Sequence, residues 1–216
     1  MSGYICQAAM AAALLGAVAG CSGGSSSSET GTPGLAATVA QQIMTQRRVP
    51  AEPAPAADPQ ALAAEALAVN PGPLILVGLE GRGTTQVLAI AGENQGMRTY
   101  MTKNEQALIM RGFMLTGTRG LGHDLSVAEA EQSATLIASG RSSSATRIMR
   151  YYSADGLERP MDFSCQIGQA PNAGVMVEAC AGHGIRFENS YLPSAGVSRQ
   201  WIGPGLGYVT IQVLRD

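Results

Sequence analysis

Two periodicities divide the chain. Between residues 35 and 48 apolar side chains recur at helical spacing: Leu35, Val39 and Ile43 stand four apart, and Arg47 and Arg48 close the run where cations suit the negative end of a helix dipole. A second helix is predicted over 60–69, with Asp58 as its cap, Pro59 at its first position, and Asn70-Pro71-Gly72-Pro73 to stop it. From Leu74 onward the period changes to two, and glycine-rich turns interrupt it. Strands are predicted at 74–79, 85–91, 97–102, 106–116, 145–152, 160–168, 174–180, 184–191, 197–202 and 207–214, joined by links short enough for an antiparallel meander. One helix interrupts them. Ser126-Val127-Ala128-Glu129 reads as a capping box, and Val127, Ala130, Ala134 and Ile137 keep helical spacing as far as Gly140.

Composition agrees with a sheet protein. Glycine supplies 27 of 216 residues and charged residues 14%, against norms of roughly 7% and about 25%, which favours turns and strands over helical bundles or disorder. Fourteen Lys and Arg against sixteen Asp and Glu leave a charge of −2. No basic excess exists to hold nucleic acid or to bind a membrane surface electrostatically.

Residues 1–20 carry no charged side chain, and 8–19 form an apolar, small-residue run too short to span a bilayer but suited to a secretory signal. At its end, Val18-Ala19-Gly20-Cys21 resembles the lipobox of bacterial lipoproteins, where the cysteine thiol takes diacylglycerol and the peptide is cut before it. Ser22 follows, which by resemblance to enteric lipoproteins points to the outer membrane. Four parts result: a signal peptide (1–20), a flexible Ser/Gly tether (21–34), a helical and Pro/Ala-rich segment (35–72) and a β domain (73–216). Acyl chains on Cys21 would tether the domain to a membrane rather than embed it.

Cys165 and Cys180 remain as an even pair in an exported chain. Centring a hairpin on Asn172 and Ala173 sets them opposite each other, within disulfide reach. No CxxC or HxxxH spacing supports a metal site. His123 and His183 are the two imidazoles, neither within a catalytic motif, and Gly-x-Ser-x-Gly is missing. Met110 and Met114, assigned to one strand face, read as core filling in a chain poor in aromatics, with soft-metal binding as the alternative. Arg199 and Trp201 stand two apart in a predicted strand and should share a face. There they could stack on a sugar ring and bind its hydroxyls, or the Arg could pack on the Trp for structure.

From residue 97 to the end the chain resembles the YjbF family, the group 4 capsule polysaccharide lipoproteins. The resemblance is carried by residues 98–102, by Arg111-Gly112-Phe113 through Arg119-Gly120-Leu121-Gly122-His123-Asp124-Leu125, by Phe163-Ser164-Cys165 with Glu178-Ala179-Cys180, and by Phe187-Glu188-Asn189. Ser198-Arg199-Gln200-Trp201-Ile202-Gly203-Pro204 through Gly207-Tyr208 completes it. It implies a mostly β fold curling into a half-barrel or open barrel, an outer-membrane location, and a link to exopolysaccharide or capsule production without an assigned catalytic activity. Arg199 and Trp201, with Tyr208, Arg119 and His123, are the candidate contacts for glycan or for other export proteins. The expected function is a non-catalytic accessory protein anchored through Cys21, without cofactor or metal. A periplasmic enzyme pairing Asp124 or Glu188 with a histidine is the alternative, and a purely structural envelope lipoprotein a third.

Overall fold

A computed structural model describes residues 58–216 except 154 and 173. The signal segment, Cys21, the tether and the helix expected at 35–48 lie outside the described residues. Helix α1 (Pro59–Val69) forms as its sequence predicts, Asp58 Oδ1 accepting from the Gln60 N–H at 3.0 Å. It packs against the outward side of strands formed by residues 74–94 and by the C-terminus, where Arg215 donates to the carbonyls of Leu67 and Asn70.

Among the described residues twelve strands make one antiparallel sheet. They are β1 (Leu74–Leu79), β2 (Thr84–Asn94), β3 (Met97–Met101), β4 (Ala107–Arg111), β5 (Met114–Arg119), β6 (Leu125–Glu129), β7 (Ser143–Tyr152), β8 (Glu158–Gln169), β9 (Met176–Gly182), β10 (Ile185–Leu192), β11 (Val197–Gly203) and β12 (Gly207–Arg215). Each strand pairs with its neighbours in sequence, with one exception. The first and last strands, β1 and β12, are laddered together, while β5 and β6 are the two edges of the sheet. The meander therefore curls into a nearly closed barrel whose seam falls in mid-sequence.

Side chains close that seam. Arg119 donates to the Leu125 and Ser126 carbonyls at 3.1 and 3.3 Å, and the buried Thr118 hydroxyl accepts from the Leu125 N–H at 2.9 Å while donating to Asp124 at 2.8 Å. From the facing wall, Gln200 accepts from the Leu115 N–H at 2.9 Å and donates to the Phe113 carbonyl at 2.8 Å. Side chains thus take several backbone groups along the β5 and β6 edges that have no strand partner.

Two expectations need correction. The strand predicted at 106–116 is two strands, because the chain reverses at Gly112, whose φ of 57° suits glycine. Met110 and Met114 consequently belong to β4 and β5 rather than to one strand face, and both are buried. The capping box at 126–129 is strand β6, laddered to β7, and the inserted helix α2 (Glu131–Ala138) starts only after it, without a side-chain cap. Leu125, Ser126 and Ala128 are buried there and Val127 is exposed, a short pattern that fits either period until the barrel edge demands a strand.

The inside of the barrel is filled. Leu108, Leu115, Met149, Phe163, Val209 and Ile211 are all buried within it, and α2 adds Leu136 and Ile137 against β7, β8 and β9. Outward positions such as Asp162, Ser164, Gln166, Arg186 and Glu188 are exposed and polar, the reverse of the apolar outer band of a membrane-spanning barrel. No helix among the described residues is long and apolar enough to cross a membrane. Cys165 and Cys180 are direct partners in the β8–β9 ladder and are joined as a disulfide, Cα to Cα 4.0 Å, as the hairpin arithmetic predicts. Closing that 15-residue separation is worth about 3 kcal/mol on loop-entropy grounds.

An ion pair lies in this interior. Arg147 and Glu178 are both fully buried, Nη1 to Oε2 3.0 Å, and the same oxygen accepts from Asn189 Nδ2 at 2.8 Å and the Tyr191 hydroxyl at 2.9 Å. Burial pushes the Glu178 carboxyl up, but the attraction of Arg147 and these hydrogen bonds outweigh it and hold the carboxyl below its usual range. Burial pushes the Tyr191 phenol up.

Candidate functional site

One end of the barrel carries the turns at 80–83, 102–106, 120–124, 153–157, 183–184 and 203–207. Strands β7 and β8 run on beyond β9: their ladder reaches Tyr152 opposite Glu158, whereas β9 first meets β8 at Ser164. The protruding hairpin leans over the end of the barrel. Tyr151 donates its hydroxyl to the Ile202 carbonyl at 2.7 Å, and its burial pushes that phenol well above the usual range.

Under the hairpin lies a groove of about 440 Å³, lined by Tyr151, Tyr152 and Met161 on one side and by residues 122–124 and 203–205 on the other. The turn is shaped by what packs on it. A Cβ at Gly203 would stand 2.9 Å from the Tyr151 ring, and one at Gly205 only 2.6 Å from His123 Cγ, so both positions need glycine for space. The 120–124 loop is fixed by Asp124, which accepts from the Leu121 N–H at 3.1 Å and from Thr118, and by Arg82, which donates to the Leu121 carbonyl. Among the described residues the groove is lined by two tyrosines, an imidazole, a thioether, the Pro204 ring and one carboxylate, Asp124.

The residues singled out from sequence are dispersed. His123 is exposed and lines this groove. Arg119 is a seam residue, occupied by backbone carbonyls. Arg199 and Trp201 do not share a face, contrary to expectation. Arg199 points outward, its guanidinium 3.5 Å over the Tyr208 ring and forked onto Glu80 with both bonds at 2.7 Å. Tyr208, half-buried, accepts from the Glu188 N–H at 3.1 Å, so the arginine packs on this ring and not on the indole. Trp201 turns into the core, 6% exposed, stacked on Phe187 at 4.4 Å and edge-on to Phe163 at 6.0 Å. The reason is a break in pairing. The β10–β11 ladder ends at Ser190 and Arg199, and beyond it the Trp201 N–H is taken by Asn189 Oδ1 at 2.7 Å. His183 forms the β9–β10 turn at a φ of 51° and accepts from the Asp162 N–H at 3.1 Å.

Residues 35–214 match the family described as group 4 capsule polysaccharide lipoprotein gfcB, YjbF. The chain belongs to this family. The match reaches back to residue 35, well before residue 97, from which the sequence resemblance runs, so residues 35–96 are part of the YjbF region as well. The crystal structure of the hypothetical lipoprotein YmcC from Escherichia coli (K12) is similar, with a TM-score of 0.57, 15% identity, and coverage of 86% of this chain and 98% of that one. At that identity the likeness concerns the fold. No curated protein matches at a significant level. Within the YjbF fold, the segments 119–125 and 201–208 that carried the sequence resemblance meet at the groove, one through His123 and the other through Gly203, Pro204 and Gly205. Tyr151, Tyr152 and Met161 were not singled out from sequence. A pair of tyrosines at the end of a strand was the available signal, and nothing local to it shows that the hairpin overhangs its neighbours.

Proposed function

We propose that this YjbF protein is a non-catalytic accessory of exopolysaccharide or capsule production or export, tethered at the outer membrane through Cys21. Family membership supports the link to capsule polysaccharide and to a lipoprotein, and the Val18-Ala19-Gly20-Cys21 sequence supports the anchor. The observation that carries the non-catalytic reading is the use made of Asp124. Its carboxylate is committed to Thr118 and the Leu121 N–H at the barrel seam and makes no hydrogen bond to the exposed His123 beside it. Paired acid–base chemistry needs a carboxylate free to work with an imidazole. The other histidine, His183, accepts a backbone N–H in a turn.

The test is secreted and surface-bound polysaccharide in a deletion strain complemented with the natural protein or with Cys21→Ala. Loss of polymer restored only by the natural protein is the expected result. Normal polymer in the deletion strain overturns the accessory role, and shortening of the polymer by the purified protein, abolished in His123→Ala, overturns the non-catalytic part.

A further inference from the structure

We infer that the groove beneath the β7–β8 hairpin is a binding subsite for uncharged sugar residues of a polysaccharide chain, with Tyr152 as its stacking platform. The inference rests on the polysaccharide reading above and assigns it a place. Tyr152 is 65% exposed at the end of β7, although a large aromatic ring normally seeks burial. Leu157, at the hairpin tip, is 61% exposed. Tyr152 is among the residues lining a groove already shaped by Tyr151, whose hydroxyl is fixed to Ile202, and by two glycines that hold the opposite wall close. A preformed cleft with a rigid aromatic border is what a flexible polymer needs in order to lose little on binding.

The chemistry of the walls selects the ligand. A pyranose presents an apolar C–H face to an aromatic ring and a rim of hydroxyls that both donate and accept. The groove matches these with phenol rings and Met161 for the face, and with the His123 imidazole and the peptide edges of Gly122, Pro204 and Gly205 for the rim. Among the described residues no Lys or Arg lines it, Arg82 at its border is bonded to the Leu121 carbonyl, and the lining carboxylate, Asp124, is engaged at the seam. An acidic sugar would bury its charge there without a counter-ion, so the groove favours neutral residues.

The experiment is calorimetric titration of the full mature chain, made unlipidated by Cys21→Ser, with short neutral oligomers cut from the surface polysaccharide of the producing cells. An oligouronate serves as the charged comparison. Tyr152→Ala is expected to weaken the neutral oligomer roughly tenfold, Tyr152→Phe to keep most of the affinity, and Arg199→Ala, on the outward face of β11, to leave it unchanged. Thermal melting should be the same for all of these except Arg199→Ala, since the Tyr152 side chain is exposed. Unchanged affinity in Tyr152→Ala with loss in Arg199→Ala moves the subsite to the outer face and overturns the inference while the accessory role stands. Preference for the oligouronate, or no binding by the parent chain, overturns it as well. So does a photo-crosslinker at position 152 that captures a protein and not the polymer in cells. A deletion strain with normal polysaccharide would instead remove the reading on which the subsite rests.

Discussion

Arg147 and Glu178 meet inside the barrel with both side chains fully excluded from solvent, 3.0 Å from Nη1 to Oε2. They come from β7 and β9, which flank β8, so the pair reaches across one strand of the wall. Removing one partner leaves an uncompensated buried charge, which costs about 3–5 kcal/mol, whereas replacing both by apolar groups of similar volume is often neutral. Glu178→Ala is therefore expected to lose about 3–5 kcal/mol in urea unfolding, and Arg147→Met with Glu178→Leu to recover most of that loss. A double variant no more stable than the single one would show that Asn189 and Tyr191, which also donate to Glu178, hold the larger share.

The same pair makes stability depend on acid. The Glu178 carboxyl titrates at an ordinary 4.5 when unfolded and below that when folded. The unfolded chain then binds more protons, and stability falls as pH falls from about 5 through the folded value. Urea midpoints measured down that range should decline in the natural protein and decline less steeply in Glu178→Gln. Parallel slopes would assign the acid sensitivity to other carboxylates, such as the exposed Asp155, which Ser153 and the Leu157 N–H also hold low.

Much of the fold was legible in the sequence, and the misses share a cause. Strict alternation in 161–167 and the hairpin centred on 172 and 173 fixed a register that placed Cys165 opposite Cys180, because one face of that strand is apolar and the other polar. Around Arg147 alternation misleads, since it is the arginine that faces inward between Ala145 and Met149 while Ile148 is half-buried. Only a carboxylate arriving from β9 makes that orientation tolerable, and no local window contains it. Trp201 fails similarly: its inward turn follows from the end of the β10–β11 ladder, a property of two strands and not of one. Of the groove, His123 was legible as one of two imidazoles, in a segment that carries the family resemblance, while Tyr152 depends on how far the hairpin extends past β9.

The seam makes a separate prediction. Thr118 is buried and serves both Asp124 and the Leu125 N–H, so Thr118→Val leaves that N–H without its acceptor and takes one of the two donors from the Asp124 carboxylate. A loss of about 1–3 kcal/mol is expected, with faster amide hydrogen exchange concentrated in β5 and β6. Exchange that rises evenly over all strands would mean that the barrel opens as one unit and that the seam is not its weak point.

The 203–205 turn is tested by size. Gly205→Ala places a methyl 2.6 Å from His123 Cγ, so the loop must shift at a cost of about 1–3 kcal/mol. Adding His123→Gly should restore most of the stability, because the obstruction is that whole side chain, whose Cβ also stands 2.8 Å from the added methyl. Failure of this rescue would place the strain in the backbone, where the Gly205 φ gives no reason for it.

Trp201 separates a contact role from a structural one. Its ring stacks on Phe187 in the core, and its backbone N–H is held by Asn189, the residue whose amide also donates to Glu178. Trp201→Ala should therefore lose about 3–5 kcal/mol, and Trp201→Phe considerably less. The chain has a single tryptophan, so its fluorescence reports on this position alone. Iodide should quench it poorly in the native protein and strongly in urea, and polysaccharide should leave the native emission little changed. Strong native quenching by iodide would put the indole at the surface and reopen it as a sugar platform. Poor quenching, together with loss of stability in the alanine variant, leaves the exposed Tyr152 as the ring available for that work.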